Sequence, residues 1–150
     1  MEYQATVCID GTKEDVWRVI TNIEGSVETI RAIEQIDVLE NPASGLVGLK
    51  WRETRTMFGR TATEVMWITD AQEHDFYQTR AESHGAVYVS VLQLEERGGE
   101  TCLTMSFDGQ AQSLPARIMS AVTGIFFKGA TQKALQQDLE DIKAAVEKSG

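Results

Sequence analysis

The chain of 150 residues has only two cysteines, two prolines and two histidines. Cys8 and Cys102 lie far apart in sequence, which excludes the close spacing of a zinc site or of a dense disulfide framework. We expect both thiols to be reduced and structural. The alternative is a neighbouring pair on the outer face of a sheet, because each cysteine alternates with polar residues.

The sequence also lacks every motif that carries its own chemistry. There is no H-E-x-x-H, C-x-x-C, G-x-S-x-G, Walker loop or G-x-G-x-x-G, so we predict no cofactor and no metal site. No apolar run approaches the roughly 18 residues of a membrane span, and the first four residues lack the basic and apolar regions of a signal peptide. We therefore expect a cytoplasmic protein without stable membrane insertion.

The charge balance excludes a further class of partner. A net charge of -9 and a pI of about 4.7 oppose binding to phosphate backbones, which depends largely on Lys and Arg. No nucleic-acid partner is predicted. A hydrophobic content of 42%, without linkers or repeats, predicts one domain over residues 1–150.

Hydrophobic alternation with a period of two dominates the first two thirds of the chain. Tyr3 to Ile9 reads as a half-buried strand, and Thr12 with Asp15 marks the start of the first of two short helices. Residues 32–110 then read as six strands separated by short turns, which predicts antiparallel neighbours. The strand that starts at Arg60 is the fourth of the chain, and two sets of its residues could face inward. We favour Ala62, Glu64, Met66 and Ile68 over the alternative set of Val65 and Trp67.

The last third, from Ser113 onward, reads only as helix. One apolar stripe comprises Leu114, Ile118, Val122 and Ile125, and a second, rotated stripe comprises Leu135, Leu139, Ile142 and Val146. A sheet followed by such a helix must lay the helix across one face to bury both apolar surfaces. We expect the second stripe to clamp the helix to the sheet and the first to border an opening.

Three segments of the sequence resemble those of a known protein family, which shares the predicted order of strand, two short helices, six strands and long helix. Thr12 to Glu24 (TKEDVWRVITNIE) is similar to the first helix of the START-like or SRPBCC superfamily, also called Bet v 1-like, in its polyketide cyclase/dehydrase and lipid-transport group. Asn22 stands where that group usually has Asp. Gly48 to Glu53 resembles the group's Gly-x-x-W strand, and Gly98 to Thr104 resembles its Gly-Gly-x-T-x-L-T hairpin. The resemblance implies an α+β helix-grip fold, with a seven-stranded curved antiparallel sheet gripping the long C-terminal helix on its concave face.

The same resemblance implies a cavity between sheet and helix, and therefore the binding, with carriage as an extension, of a hydrophobic or amphipathic small molecule. The predicted ligand-binding residues come from the inward strand positions and the first helical stripe: Trp51, Glu53, Arg55, Met66, Tyr88, Leu92, Met105, Phe107, Ile118, Met119, Val122, Ile125 and Phe126.

Two inward charges stand out in this set. Glu53 and Arg55 share a predicted strand face with Trp51, and charges facing a core must be paired, solvated or functional. One reading pairs them with Glu64 and Arg80 across neighbouring strands. The other has Arg55 fixing the polar head, carboxylate or phenol of the ligand.

Two rival functions remain open at this stage. The first is a cofactor-independent enzyme of the cyclase, aromatase or dehydratase type, with Glu53, Glu64, Tyr88 or His84 moving a proton, although no feature of the sequence requires turnover. The second is an adaptor whose outer sheet face, including Lys50 and Arg52, binds a protein partner that the sequence does not identify.

Overall fold

The computed structural model describes residues 2–57, 59–83, 86–111 and 114–149, with side chains for all of these except Met57, Ser83, Gln110, Ala111 and residues 114–130. The described elements, in chain order, are β1 (Glu2–Ile9), α1 (Lys13–Thr21), α2 (Ser26–Thr29), β2 (Ile33–Glu40), β3 (Lys50–Met57), β4 (Arg60–Gln72), β5 (Phe76–Ser83), β6 (Ala86–Arg97), β7 (Glu100–Ala111) and α3 (Leu114–Ser149).

The strands form one antiparallel sheet in the order β1-β7-β6-β5-β4-β3-β2. Strands β2 to β7 follow each other as a meander, and β1 pairs with the last strand. The tight turn between β6 and β7 requires positive φ at Gly98 and Gly99, 57° and 89°, which glycine adopts without a steric penalty. The predicted α+β helix-grip arrangement is confirmed.

The two faces of the sheet follow the alternation of the sequence. The inner face is the one that α1 and α3 cover, and the register places Trp51 opposite Met66 and Met66 opposite Ala81 on it. Ile68 in the same row is 1% exposed. The even-numbered residues of β4 therefore point inward, as predicted, and Trp67 lies on the outer face.

Helix α1 begins at its predicted cap. The Thr12 hydroxyl accepts a hydrogen bond of 3.1 Å from the backbone N–H of Asp15, which satisfies one of the helix's unpaired donors. On the buried side, Trp17 makes edge-to-face ring contacts with Tyr77 and His74 at 6.2 and 6.1 Å. Trp17 thus packs against β5, the middle strand of the sheet.

The second apolar stripe of α3 clamps the helix to the sheet, as predicted. Its four residues are buried, at 6% exposure or less: Leu135, Leu139, Ile142 and Val146. Polar contacts hold the same half of the helix, since Arg31 binds Asp141 at 3.0 Å and Gln132 donates to the Gln4 carbonyl at 2.7 Å. The side chains of the first stripe lie outside the described residues.

Cys8 and Cys102 form a disulfide, so the expectation of two reduced thiols is wrong. The alternative of a neighbouring pair on the outer face is correct, because the two residues stand opposite each other in the β1–β7 register. The sequence separation of 94 hides this pairing, which arises only when the last strand closes against the first. Among the helical residues that the structure describes, no helix is long and apolar enough to cross a membrane.

Candidate functional site

Burial changes along the inner face of the sheet. At one end the core is sealed, because Ile9 and Leu103 are 0% exposed and pack with Leu139 of α3. Toward the other end Tyr3, Ala81 and Ala86 are still buried, but several inward residues beside them are only half-buried: Glu64, Met66, Tyr88, Ser90, Met105 and Phe107. Ala62, at the end of the same row of β4, is exposed. We call this half-buried group the open end of the inner face.

Two aromatic rings are fixed side by side at the open end. Tyr88 of β6 stacks on Phe107 of β7 with a centroid distance of 5.6 Å and an angle of 20° between the rings. Gly109 stands opposite Tyr88 in the register, and a Cβ atom at Gly109 would come within 3.1 Å of the Tyr88 ring carbons. The missing side chain at Gly109 therefore gives the Tyr88 ring its place.

Glu64 is the acidic neighbour of Tyr88 at the open end. The two residues lie on either side of β5, where Ala81 pairs with Tyr88 on one side and with Met66 on the other. Burial, and secondly the Glu64 carboxylate, raises the pKa of the Tyr88 hydroxyl above its ordinary value. Because both effects disfavour the phenolate, Tyr88 remains a hydrogen-bond donor at neutral pH.

The two tyrosines of the neighbouring strands β5 and β6 have different surroundings. The Tyr77 hydroxyl donates a 3.0 Å hydrogen bond to the Ile20 carbonyl at the end of α1, and burial, with Glu53 as the lesser cause, raises the pKa of Tyr77. For Tyr88, no group in the described part of the chain hydrogen-bonds to the hydroxyl. Tyr77 joins α1 to the sheet, whereas the Tyr88 hydroxyl has capacity for another molecule.

Glu53 and Arg55 belong to a buried network that includes the C-terminal helix. The Glu53 carboxylate accepts hydrogen bonds from Trp51 Nε1 at 3.2 Å and from Arg55 Nε at 2.9 Å. The other arm of the guanidinium, Nη2, donates to Oδ2 of Asp138 at 2.9 Å. Arg80, which the sequence analysis offered as a cross-strand partner of this pair, lies on the outer face and pairs with Glu82. The predicted pairing with Arg80 is therefore wrong.

Burial and charge act against each other in this network. Burial alone would lower the pKa of Arg55, but the carboxylates of Asp138 and Glu53 together raise it. For Asp138 burial is the largest influence and raises the pKa, and the opposing effect of Arg55 does not cancel it. With two carboxylates around one guanidinium, the network has no unbalanced positive charge to attract an acidic head group.

Sequence reasoning missed Asp138. A signal was present, because Asp138 lies between Leu135 and Leu139 in the buried stripe of α3, and a carboxylate in such a stripe needs a partner on the facing element. The apolar members of the stripe alone do not reveal it. Asp138 is 5% exposed.

The predicted ligand-binding residues divide into three groups. Met66, Tyr88, Met105 and Phe107 meet at the open end, while Trp51 and Leu92 belong to the sealed core and Glu53 and Arg55 to the buried network. The remaining predicted positions lie outside the described residues: the side chains of Ile118, Met119, Val122, Ile125 and Phe126, and all of His84. Ser90, inward between Tyr88 and Leu92, is an open-end residue that the prediction did not include.

The outer face has a separate shallow depression of about 270 Å³, lined by Glu40, Gly48, Lys50 and Trp67. The ammonium of Lys50 lies 5.9 Å from the centre of the Trp67 ring, a cation–π contact. Leu39 and Val47 nearby are exposed. In the described part of the chain, no cluster of three or more His, Cys, Asp or Glu side chains is suited to a metal ion.

Comparison with solved structures confirms the fold. The chain is similar to TTHA0849 from Thermus thermophilus, with 13% identity, a TM-score of 0.83 and coverage of 100% of this chain and 99% of the other. It is equally similar to a START superfamily protein from Mycobacterium smegmatis, with 14% identity, a TM-score of 0.82 and 99% of each chain covered.

A third similar structure is the di-domain ARO/CYC BexL from the BE-7585A biosynthetic pathway, with 16% identity and a TM-score of 0.80. That match covers 98% of this chain and 50% of BexL, so the chain spans half of the larger protein. No curated protein sequence matches the chain significantly.

The sequence itself supplies the assignment to a family. Residues 1–147 match the family described as polyketide cyclase / dehydrase and lipid transport, which agrees with the resemblance of the first helix and of the β6–β7 hairpin. The chain therefore belongs to the polyketide cyclase / dehydrase and lipid transport family.

Proposed function

We propose that the protein binds a hydrophobic or amphipathic small molecule at the open end of the inner face, between the sheet and α3. The incomplete burial of Met66, Met105 and Phe107 is the observation that carries this proposal. These large apolar side chains pack against the core cluster that includes Leu139 of α3, and they lie on the same face where Leu103 and Ile68 are sealed. Apolar surface left partly accessible in a concave place is typical of ligand sites.

The composition of the open end supports a ligand of variable apolar shape. Met66 and Met105 have flexible, polarisable side chains that adapt to different partners, and the stacked rings of Tyr88 and Phe107 add a rigid aromatic wall. Few polar groups accompany them. A binding site of this kind holds its ligand mainly by burying apolar surface, at roughly 25 cal/mol per Å².

The proposal is tested by placing a large side chain in the open end and comparing it with the same side chain on the outer face. Ser90 points inward and Val89 outward on the same strand, so Ser90→Trp and Val89→Trp place the same large side chain on opposite faces. We expect Ser90→Trp to weaken binding of a naphthalene probe by about tenfold or more, equivalent to about 1.4 kcal/mol, and Val89→Trp to leave it unchanged. Isothermal titration calorimetry measures both.

Mass spectrometry of the intact, freshly purified protein provides an independent test. A lipid-like mass that accompanies the wild type and is lost from Ser90→Trp would support carriage. If the wild type binds no apolar probe, or if both tryptophan variants bind as well as the wild type, the site is not at the open end.

Cyclase, aromatase or dehydratase chemistry is the second candidate function. The family description and BexL favour it, and the proximity of Glu64 to Tyr88 gives the open end a base and an acid. Its test is turnover: incubation with a poly-β-ketone substrate should give a cyclised product, and Glu64→Gln should slow the reaction while Glu82→Gln on the outer face should not.

An adaptor function remains a third prediction. The depression beside Lys50 and Trp67 supports it less strongly, because a depression lined by four residues is small beside a protein interface of about 800 Å² per partner.

A further inference from the structure

The contrast between Tyr77 and Tyr88 leads to an inference about the ligand itself. We propose that the Tyr88 hydroxyl is the hydrogen-bond donor that orients the ligand, and that the ligand is a neutral, largely apolar molecule with a carbonyl oxygen. This inference rests on the proposed binding function and assigns a specificity-determining residue to the same site.

The position of the Tyr88 hydroxyl is fixed before any ligand arrives. The ring stacks on Phe107 at 5.6 Å and occupies the space above Gly109, where even a methyl group would approach it to 3.1 Å. A donor held in this way loses little conformational entropy when it binds an acceptor. A tyrosine so placed gives direction to a site whose other members, Met66 and Met105, hold the ligand without orienting it.

The hydroxyl is also available as a donor. Among the described residues no group hydrogen-bonds to it, and Tyr88 is half-buried. The hydroxyl of buried Tyr77, in contrast, already donates its hydrogen bond to the Ile20 carbonyl. Burial and Glu64 raise the pKa of Tyr88, so the group keeps its proton at neutral pH. A ligand oxygen that accepts a hydrogen bond matches this donor, whereas a ligand without one leaves the hydroxyl unpaired.

The charges of the inner face favour a neutral ligand. Its buried or half-buried charged side chains, in the described part of the chain, are three carboxylates and one guanidinium: Glu53, Glu64, Asp138 and Arg55. Arg55 contacts both Glu53 and Asp138. Among these side chains, an acidic head group would meet no cation except Arg55, which two carboxylates already share. A neutral ketone needs no cationic partner.

Three naphthalenes of nearly equal size separate these properties. 2-Acetonaphthone has an acceptor oxygen, 2-isopropylnaphthalene has none, and 2-naphthoate carries a charge. Their dissociation constants are measured for the wild type, Tyr88→Phe and Tyr77→Phe. We expect the wild type to prefer the ketone over the hydrocarbon by about threefold to tenfold, the range of one hydrogen bond. Tyr88→Phe should abolish this preference, Tyr77→Phe should retain it, and the naphthoate should bind most weakly.

Each other result overturns a defined part of the proposal. If the ketone preference is absent from the wild type or persists in Tyr88→Phe, Tyr88 does not orient the ligand, although binding itself stands. If 2-naphthoate binds as tightly as the ketone, the ligand is not restricted to neutral molecules. If none of the probes binds to any variant, the proposed binding function fails and this inference fails with it. Circular dichroism before titration shows that each variant is folded.

Discussion

Arg55 Nη2 on β3 donates a 2.9 Å hydrogen bond to Oδ2 of Asp138 on α3, and this contact links the buried half of the C-terminal helix to the third strand. The same guanidinium binds Glu53 two residues away. The two charges, for which the sequence leaves open cross-strand pairing or head-group binding, are therefore part of the fold's own attachment between helix and sheet.

Replacing Arg55 by Met should destabilise the protein strongly. The substitution keeps much of the apolar side-chain bulk but leaves Glu53 and Asp138 buried without their cation, for which we expect a loss of about 3 to 5 kcal/mol in the free energy of unfolding. Urea unfolding followed by circular dichroism measures it. Arg80→Met is the matched control, because the Arg80–Glu82 pair is exposed and worth about 1 kcal/mol or less. Equal unfolding midpoints for the two variants would contradict the structural role of Arg55.

The pKa of Asp138 predicts the sign of a pH effect. Burial raises the folded-state pKa above the ordinary carboxyl value, so between those two values the native state binds more protons than the unfolded state. The contribution of this group to stability is full below about pH 4 and is lost as the pH rises through the folded-state pKa. Asp138→Asn cannot ionise and escapes that loss.

The measurement is the free energy of unfolding of Asp138→Asn minus that of the wild type, followed from about pH 4 to about pH 7. We expect this difference to increase with pH and then level off. A difference that decreases as the pH rises would mean that Arg55 outweighs burial and holds the carboxyl below its ordinary pKa.

The disulfide should contribute substantially to stability. Cys8–Cys102 closes a loop with a sequence separation of 94, and constraining an unfolded chain over such a distance is worth about 2 to 5 kcal/mol. The double substitution Cys8→Ser with Cys102→Ser should lower the urea midpoint accordingly. Reductant should lower the wild-type midpoint by a similar amount and leave that of the double variant unchanged. A wild type that is indifferent to reductant would show that the bond does not stabilise the fold.

Gly109 should be sensitive to a single methyl group. In Gly109→Ala the new Cβ would lie 3.1 Å from the Tyr88 ring, so the ring must shift by a few tenths of an ångström. We expect the affinity for 2-acetonaphthone to fall by about threefold, because the hydroxyl moves out of line with its acceptor, at a small cost in stability. Ser106→Ala, on the outer face of the same strand, is the control. Equal affinities for the two variants would mean that the position of the ring does not matter.

The sequence by itself determined the order of elements, because period-two alternation, glycine turns and one long apolar helix predict an antiparallel sheet covered by a helix. The family resemblance of Thr12 to Glu24, Gly48 to Glu53 and Gly98 to Thr104 then implied the helix-grip arrangement. It also placed Met66, Tyr88, Met105 and Phe107 on one face, since alternation fixes the side of a strand on which each residue lies. The face of β4 followed from the same rule.

Only the tertiary structure decided which of these residues meet across the chain. The pairing of β1 with β7 brought Cys8 to Cys102, and the docking of α3 brought Asp138 to Arg55. Local periodicity cannot specify contacts of this kind, because it fixes the direction of a side chain but not the element it faces. The same docking seals Leu139 and leaves Tyr88 half-buried, and that difference in packing, which no local pattern encodes, is what separates the core of this protein from its candidate site.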